Sequence, residues 1–342
     1  MIDSDHWRDV NSVEDLTAAI ELYNTLIGLG RYDDAIYLFY SHLQNTLLYR
    51  LDASRQQTEL LEMLFSDGLD HVPRLSTPQW QAYTFAVLAL SLRNQLEPAA
   101  VLYRRSIDIY KQEGDQEYIT IVLPSLSDVL RFFGAVYESE MAAHRALAIA
   151  RQLSDQGQGS TSLYWLGTTL AVRGKNSDSE KAFNLSLALA PSSGAYRAYD
   201  YQAMRALWFG EYADAQMLAN RAMTYCQQVR FERGMIRAAR LQGEAALRLG
   251  DLLGADERLH HALARARTVN RVEEELPALI GLAELRRRKG DHKAARELLE
   301  DVWEAAERGP FRLVHADAFN VLAQIERDAG DHASAVKAAT EA

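Results

Sequence analysis

The sequence predicts an all-α protein, a right-handed solenoid of roughly eight tandem helical hairpins repeating about every 40 residues. Three observations carry the prediction. Turn-forming residues recur at a fixed interval: Gly210, Gly250, Gly290 and Gly330 lie 40 residues apart. Gly134 and Gly174 are also separated by 40, Asn94 lies another 40 upstream, and only the step from Gly174 to Gly210 is shorter, at 36. Glycine, and asparagine in its place, admits the left-handed backbone that ends a helix. The second observation is a small side chain five residues after each turn, at Ala35, Ala99, Ser139, Ser179, Ala215, Ala255, Ala295 and Ala335. Small residues also stand seven before it, at Ser127, Gly167, Ala203, Gly243, Ala283 and Ala323. Two helices joined by a tight turn approach closely only where such residues occupy the crossing. The third is apolar spacing at i, i+3 and i+4 over Leu276 to Arg288 and Ala294 to Ala306, the mark of helices with one buried face.

The hairpins fall near 13–48, 78–113, 117–154, 160–190, 195–229, 233–269, 273–308 and 312–342. Gly30 serves as the turn of the first. Ser54 to Phe65 reads as an additional helix, and Ser66 to Pro78 as a loop that breaks the register. Two regions follow: 1–76, an N-terminal hairpin with the extra helix and loop, and 77–342, the superhelix proper. Gly157-Gln-Gly159-Ser160 reads as an inter-repeat loop ahead of a helix cap. The last hairpin stops at Ala342, part-way through its second helix. Arrays normally end in a polar-faced cap, so the chain is expected to be a fragment of a longer protein.

Composition narrows the functional classes. The chain has 342 residues, 48% hydrophobic and 25% charged, with a net charge of −10. Its pI is about 5.4. That acidic balance counts against nucleic acid as a partner. A single cysteine, Cys226, excludes an internal disulfide framework and reads as a buried small hydrophobe. Asp3, Asp5 and Asp9 stand where a secretory leader would be basic, and the longest apolar run, Tyr83 to Leu92, is far short of the ~20 residues that span a bilayer. A soluble cytoplasmic protein without a membrane partner is the expectation.

The stretch Gly210-Glu-Tyr-Ala-Asp-Ala215, together with Leu166-Gly167, resembles the tetratricopeptide pattern, in which a turn residue followed five positions later by alanine opens the second helix. The pattern's tryptophan is Leu163 here, and the period is 40 instead of 34. Further phrases resemble one group: His6-Trp7-Arg-Asp-Val-Asn-Ser-Val-Glu-Asp-Leu16, Gly30-Arg-Tyr-Asp-Asp-Ala-Ile-Tyr-Leu-Phe-Tyr40 and Leu47-Leu-Tyr-Arg-Leu51. Leu64-Phe65-Ser-Asp-Gly68 with Pro73-Arg-Leu75, Arg265-Ala-Arg-Thr-Val-Asn270 and Phe311 to Ala323 add to them. Together they are similar to the C-terminal tetratricopeptide sensor region of bacterial signal-transduction ATPases with numerous domains, the STAND family. The resemblance implies a sensing array that holds a trigger and releases N-terminal nucleotide-binding and effector modules of the same polypeptide, in defence or stress signalling. A free-standing adaptor that binds a peptide or partner protein is the alternative. Gly-x-x-x-x-Gly-Lys-Ser/Thr is absent, so nucleotide chemistry would belong to another part.

No catalytic constellation, cofactor motif or metal motif stands out. His260 and His261 are adjacent and diverge by about 100° on a helix. His292 and His332 follow Gly-Asp turns. Glu273-Glu274-Glu275 opens a helix, where carboxylates suit the positive dipole end. The candidate site is instead the concave face, whose positions fall 13, 10, 6, 3 and 2 residues before each turn glycine. This rule selects Tyr164, Arg197, Asp200, Trp208, Arg237, Arg240, Glu244, Arg287, Asn320 and Arg327 as the leading ligand-binding candidates. Gln81, Thr84, Asp128, Arg131, Phe132, Thr168, Met204, Arg248, Glu284, Arg288 and Gln324 accompany them. Arginines gather towards the C-terminus: residues 231–342 carry a net charge of −2 against −8 for the rest. A protein, a peptide or a small anionic trigger is the expected occupant, because the guanidinium fork suits carboxylate and phosphate. The opposing possibility is that these arginines pair with acids such as Glu244 and Glu284. If they do bind the trigger, reversing Arg240 and Arg287 to Glu abolishes the response and leaves melting unchanged.

Overall fold

A computed structural model describes residues 10–92, 95–189, 195–306 and 311–342, and the side chains of all of these except 195–198 and 305–306. Among the described residues the regular structure is helical throughout. The N-terminal unit holds α1 (Thr17–Gly28), α2 (Tyr32–Leu38) and α3 (Ser54–Glu62). Fourteen helices follow as seven hairpins: α4 (Pro78–Ser91) with α5 (Leu96–Gln112), α6 (Gln116–Phe132) with α7 (Val136–Gln152), and α8 (Gln156–Val172) with α9 (Asn176–Leu189). Then come α10 (Ala195–Trp208) with α11 (Tyr212–Gln228), α12 (Glu232–Leu249) with α13 (Leu252–Thr268), α14 (Val272–Arg288) with α15 (His292–Ala306), and α16 (Arg312–Asp328) with α17 (His332–Glu341). The chain is an all-α, tetratricopeptide-like solenoid.

The turn within each hairpin works as its glycine requires. Gly250 takes φ +88° and Gly330 φ +85°, and the amide of the following Asp251 donates back to the Ala246 carbonyl at 2.9 Å. That aspartate then caps the next helix, its carboxylate accepting from the Gly254 amide at 2.9 Å; Asp291 and Asp331 do the same for Ala294 and Ser334. A second left-handed series, at Gly114, Ser154, Arg230 and Asn270, closes the turns between hairpins. Three of these four are not glycine, which hid the series from a reading based on glycine. Asn94 lies outside the described residues.

Small residues bring the paired helices together. Gly243 packs so closely on Leu259 that a Cβ there would sit 2.7 Å from the leucine Cγ. Ser127 and Ser139, at the equivalent crossing of α6 and α7, are fully buried and satisfied by each other's hydroxyl and carbonyl at 2.7–3.0 Å. Cys226 is fully buried.

One expected loop is helix. Residues 157–160 form the first turn of α8, because Asp155 caps it through the Gln158 amide at 2.9 Å and Ser160 exchanges hydrogen bonds with Ser186 at 2.8 Å. Capping and packing there outweigh the helix cost of two glycines.

The N-terminal unit departs most from the repeat. After α2 the chain runs on through π-helical turns at Phe39–Leu43 and Thr46–Arg50, with Phe39, Leu43, Leu47 and Leu48 buried. It then bends at Asp52, a non-glycine residue at φ +52°. This bend delivers the Asp52 carboxylate to the far side of the superhelix. There it accepts from Arg271 Nε at 2.8 Å and Arg233 Nη2 at 3.3 Å. Tyr49 packs on Phe231 beside it, ring centroids 5.8 Å apart. A second seam joins the α6–α7 turn to the start of α16, where Phe132 meets Phe311 at 6.2 Å and Arg312 lies over Phe133. The superhelix therefore closes on itself, and its concave face becomes the wall of a lumen.

Candidate functional site

Most of the lumen wall comes from first helices, whose repeat phase turns one face inward. Two cavities occupy it. The C-terminal one holds about 350 Å³ and is lined from α6, α8, α10, α12, α14 and α16. The N-terminal one holds about 520 Å³ and is lined from the N-terminal unit, α4, α5, α6, α8, α10 and α12. Both volumes lie in the range of ligand pockets. Tyr201 and Arg237 line both cavities, with Arg237 Nη1 donating to the Tyr201 hydroxyl at 2.9 Å. This pair is the partition between them.

Around the partition lies a buried ionic network. Glu274 accepts from Arg237 Nε at 2.5 Å and from Arg240 Nε at 2.8 Å, and Arg240 Nη1 reaches Glu244 at 2.5 Å. Burial opposes the charge on Glu274, yet the two guanidiniums hold its carboxyl below the usual range. Glu284 gathers Arg287 at 2.7 Å and Arg288 at 2.7 Å, while Arg287 also reaches Asp328. Glu273 takes Arg271 at 2.8 Å. At the start of α14, Glu274 thus neutralises arginines from α12 and Glu273 the N-cap Arg271, while Glu284 holds two arginines in the last turn of the same helix.

The predicted residues divide by position. Trp208, Arg240, Glu244 and Asn320 line the C-terminal cavity, and Tyr164 and Asp200 the N-terminal one. Trp208 is 45% exposed and offers its indole to the lumen. Tyr164 is buried and stacks on Tyr201 at 5.4 Å. Arg287 and Arg327 line neither cavity; Arg327 lies beside Asp328 at 3.3 Å. Arg197 has its side chain outside those described. Among the companion positions Thr84 and Thr168 are fully buried, and Asp128 is buried against Arg131 at 2.7 Å.

The expected arginine-rich anion surface is not what the lumen presents. The arginines of the C-terminal cavity are engaged by carboxylates, Arg237 and Arg240 by Glu274 and Glu244, and Arg131 by Asp128. Reversing Arg240 to Glu is no clean test of binding, because it would bury a third carboxylate between Glu274 and Glu244.

Asp317 was missed, although it lies thirteen residues before Gly330 and the offset rule reaches it. Its side chain is exposed to the lumen, in the lining of the C-terminal cavity. Loss of bulk water first, and Glu244 second, push its carboxyl up to about 6, with Arg248 opposing. Tyr201, Pro277 and Ile280 were also missed; the last two follow from the same offsets before Gly290, and only Tyr201 lacks that signal.

The fold and lumen define a class, the tetratricopeptide-like repeat solenoids. Residues 274–342 match the tetratricopeptide repeat family. The chain is similar in fold to a Rap protein complexed with competence and sporulation factor, at 16% identity and a TM-score of 0.64, covering 96% of each chain. It is also similar to the Rap conjugation gene regulator of plasmid pLS20 in complex with the Phr* peptide, at 12% identity and a TM-score of 0.64, covering 100% of this chain and 95% of that one. A chain of the APC/C hetero-tetramer Cut9-Hcn1 gives 13% identity and a TM-score of 0.58 over 98% of this chain and 61% of that one. No curated protein matches in sequence. Among the described residues no helix is long and apolar enough to cross a membrane, and no cluster of His, Cys, Asp and Glu has the arrangement of a metal site.

Proposed function

We propose that the chain is a non-catalytic sensing repeat domain that takes a peptide or an extended protein segment into its lumen. The observation that carries this reading is the pair of cavities strung along the inner wall. The C-terminal one sets an exposed indole, Trp208, and polar groups such as Asn320 and Gln324 beside apolar Ile280 and Leu313. A chain with alternating side chains and a polar backbone matches such a lining better than a compact anion does. The two Rap structures, one solved with competence and sporulation factor and the other with the Phr* peptide, support the same reading by their fold.

The context that fits the sequence phrases is the C-terminal sensor of a STAND-type switch ATPase, acting in the cytoplasm. Occupation of the lumen would release nucleotide-binding and effector modules on the same polypeptide. A second reading is a free-standing adaptor that binds a peptide or partner protein, supported by the fold shared with the two Rap structures. The coding sequence separates the two: a Gly-x-x-x-x-Gly-Lys-Ser/Thr motif upstream in the same frame supports the switch, and its absence supports the adaptor.

Capture from the native cell lysate on the immobilised protein, with mass spectrometry of what is retained, tests the lumen itself. Trp208→Ala combined with Asn320→Ala is expected to lose the captured segment. Leu253→Ser, at a position 82% exposed on a second helix, is expected to keep it. The reverse pattern would move the site to the outer surface.

A further inference from the structure

The N-terminal cavity differs in chemistry from its neighbour. Its wall carries an unusual density of phenols, with Tyr40, Tyr83, Tyr110 and Tyr118 ranged round one end. Tyr40 and Tyr83 meet edge to face at 5.6 Å, and Tyr110 and Tyr118 stack in parallel at 5.1 Å. Trp80 backs the first pair, 5.3 Å from Tyr83. Burial first, and then the neighbouring phenols Tyr40, Tyr110, Tyr49 and Tyr118, disfavour ionisation of Tyr83. Tyr40 and Tyr118 keep 50% and 43% of their surface exposed, so the aromatic end is open at its mouth.

Glu117, exposed at the rim, and Asp200, buried in the wall, are the carboxylates of this cavity. Its two guanidiniums are engaged behind the wall, Arg233 by Asp52 and Arg237 by Glu274. Asp200 acts on Arg237 within the wall, and Glu117 is the carboxylate exposed at the rim. Aromatic faces and carboxylates together attract cations: the ring quadrupole presents its negative face, and the phenol oxygens accept hydrogen bonds from a donor-rich head group.

We infer that this cavity is a cation-binding subsite that takes an arginine or lysine side chain of the segment held in the lumen. The inference rests on the reading of the lumen as a binding surface and adds the chemistry of one position. The aliphatic stem lies along Ile121 and Leu90, and the charged head sits among Tyr40, Tyr83 and Tyr118 with Glu117 at the mouth. A neutral side chain of the same shape loses the cation–π and carboxylate attraction and keeps only the contact area.

The probes are Nα-acetyl-arginine amide and Nα-acetyl-citrulline amide, nearly equal in shape and different in charge, titrated into the full chain by ligand-observed NMR. Arginine is expected to bind about tenfold more tightly, the worth of ~1.4 kcal/mol of cation–π and ionic attraction. Tyr118→Ala and Glu117→Gln, both at exposed positions, are expected to remove most of that preference, and Trp208→Ala in the other cavity to leave it intact. Equal binding of the two probes overturns the subsite, as does an arginine preference that survives both cage variants. If lysate capture yields segments without basic residues, the subsite fails while the sensing reading stands. If arginine binds as expected but no segment is captured, the sensing reading fails and the subsite stands.

Discussion

Asp317 shows how the lumen works on a single residue. In the unfolded chain its carboxyl titrates at the ordinary value of 3.8, and in the fold at about 6. Between these values the folded state binds more protons than the unfolded one, so this group's contribution to stability is complete below pH 3.8 and is lost as the pH rises through 6. Because the side chain remains open to lumen water, the effect is discounted to about 1 kcal/mol or less. Asp317→Asn is therefore expected to be more stable than the wild type at pH 7, with the difference shrinking towards pH 4.5. Urea unfolding of both proteins at the two pH values measures it, and a gap that does not change with pH would sink the assignment. The same carboxyl is expected to attract cations only above pH 6.

Arg237 and Arg240 teach a related lesson at the same scale. Their type and spacing were legible in the sequence, and so was the possibility that nearby acids absorb them. What could not be read was the partner. Glu274 lies 34 residues beyond Arg240 and belongs to the next hairpin, one full repeat away, so no within-helix rule points to it.

At the scale of elements, the repeat logic held because each hairpin is decided locally. The turn glycine, the aspartate that caps the next helix and the small residues at the crossing all act within about 20 residues of one another. Gly243→Ala tests the crossing: a Cβ would meet Leu259 Cγ at 2.7 Å and its backbone nitrogen at 3.1 Å. Since the backbone cannot swing aside as a side chain can, the substitution is expected to cost about 1–3 kcal/mol. Thermal or urea unfolding measures the loss, and a neutral result would mean that the helices separate without penalty. In one place where the reading failed, a local rule met a competing contact. Residues 157–160 became helix because Asp155 and Ser186 supply what two glycines take away. The turns at Ser154 and Arg230 went unseen because neither residue type signals a left-handed backbone, although the closing bonds are local, Asp155 N–H to the Ala150 carbonyl at 2.9 Å and Phe231 N–H to the Cys226 carbonyl at 2.8 Å.

At the scale of the whole molecule, closure depends on one buried carboxylate. Asp52 is 1% exposed and holds two guanidiniums, on Arg233 and Arg271, that lie 181 and 219 residues further along the chain. Asp52→Ala leaves both arginines without that partner in a dry seam and is expected to cost about 3–5 kcal/mol. The hairpins themselves are stacked on near neighbours and need not unfold with it. Small-angle scattering is expected to show a larger radius of gyration with helicity retained. An unchanged radius would show that the Phe132–Phe311 seam closes the ring alone.

The amino-acid sequence by itself determined the hairpins, their period and the face of each helix that turns inward, because turn chemistry and helical periodicity are short-range properties of the chain. Only the tertiary structure decided that the concave face closes into a lumen, that its arginines are already matched by carboxylates, and that its N-terminal half is an aromatic chamber. Closure is the sum of small rotations over many repeats, and charge pairing across repeats depends on that sum. No stretch of sequence contains either quantity, since both arise between residues that only folding brings together.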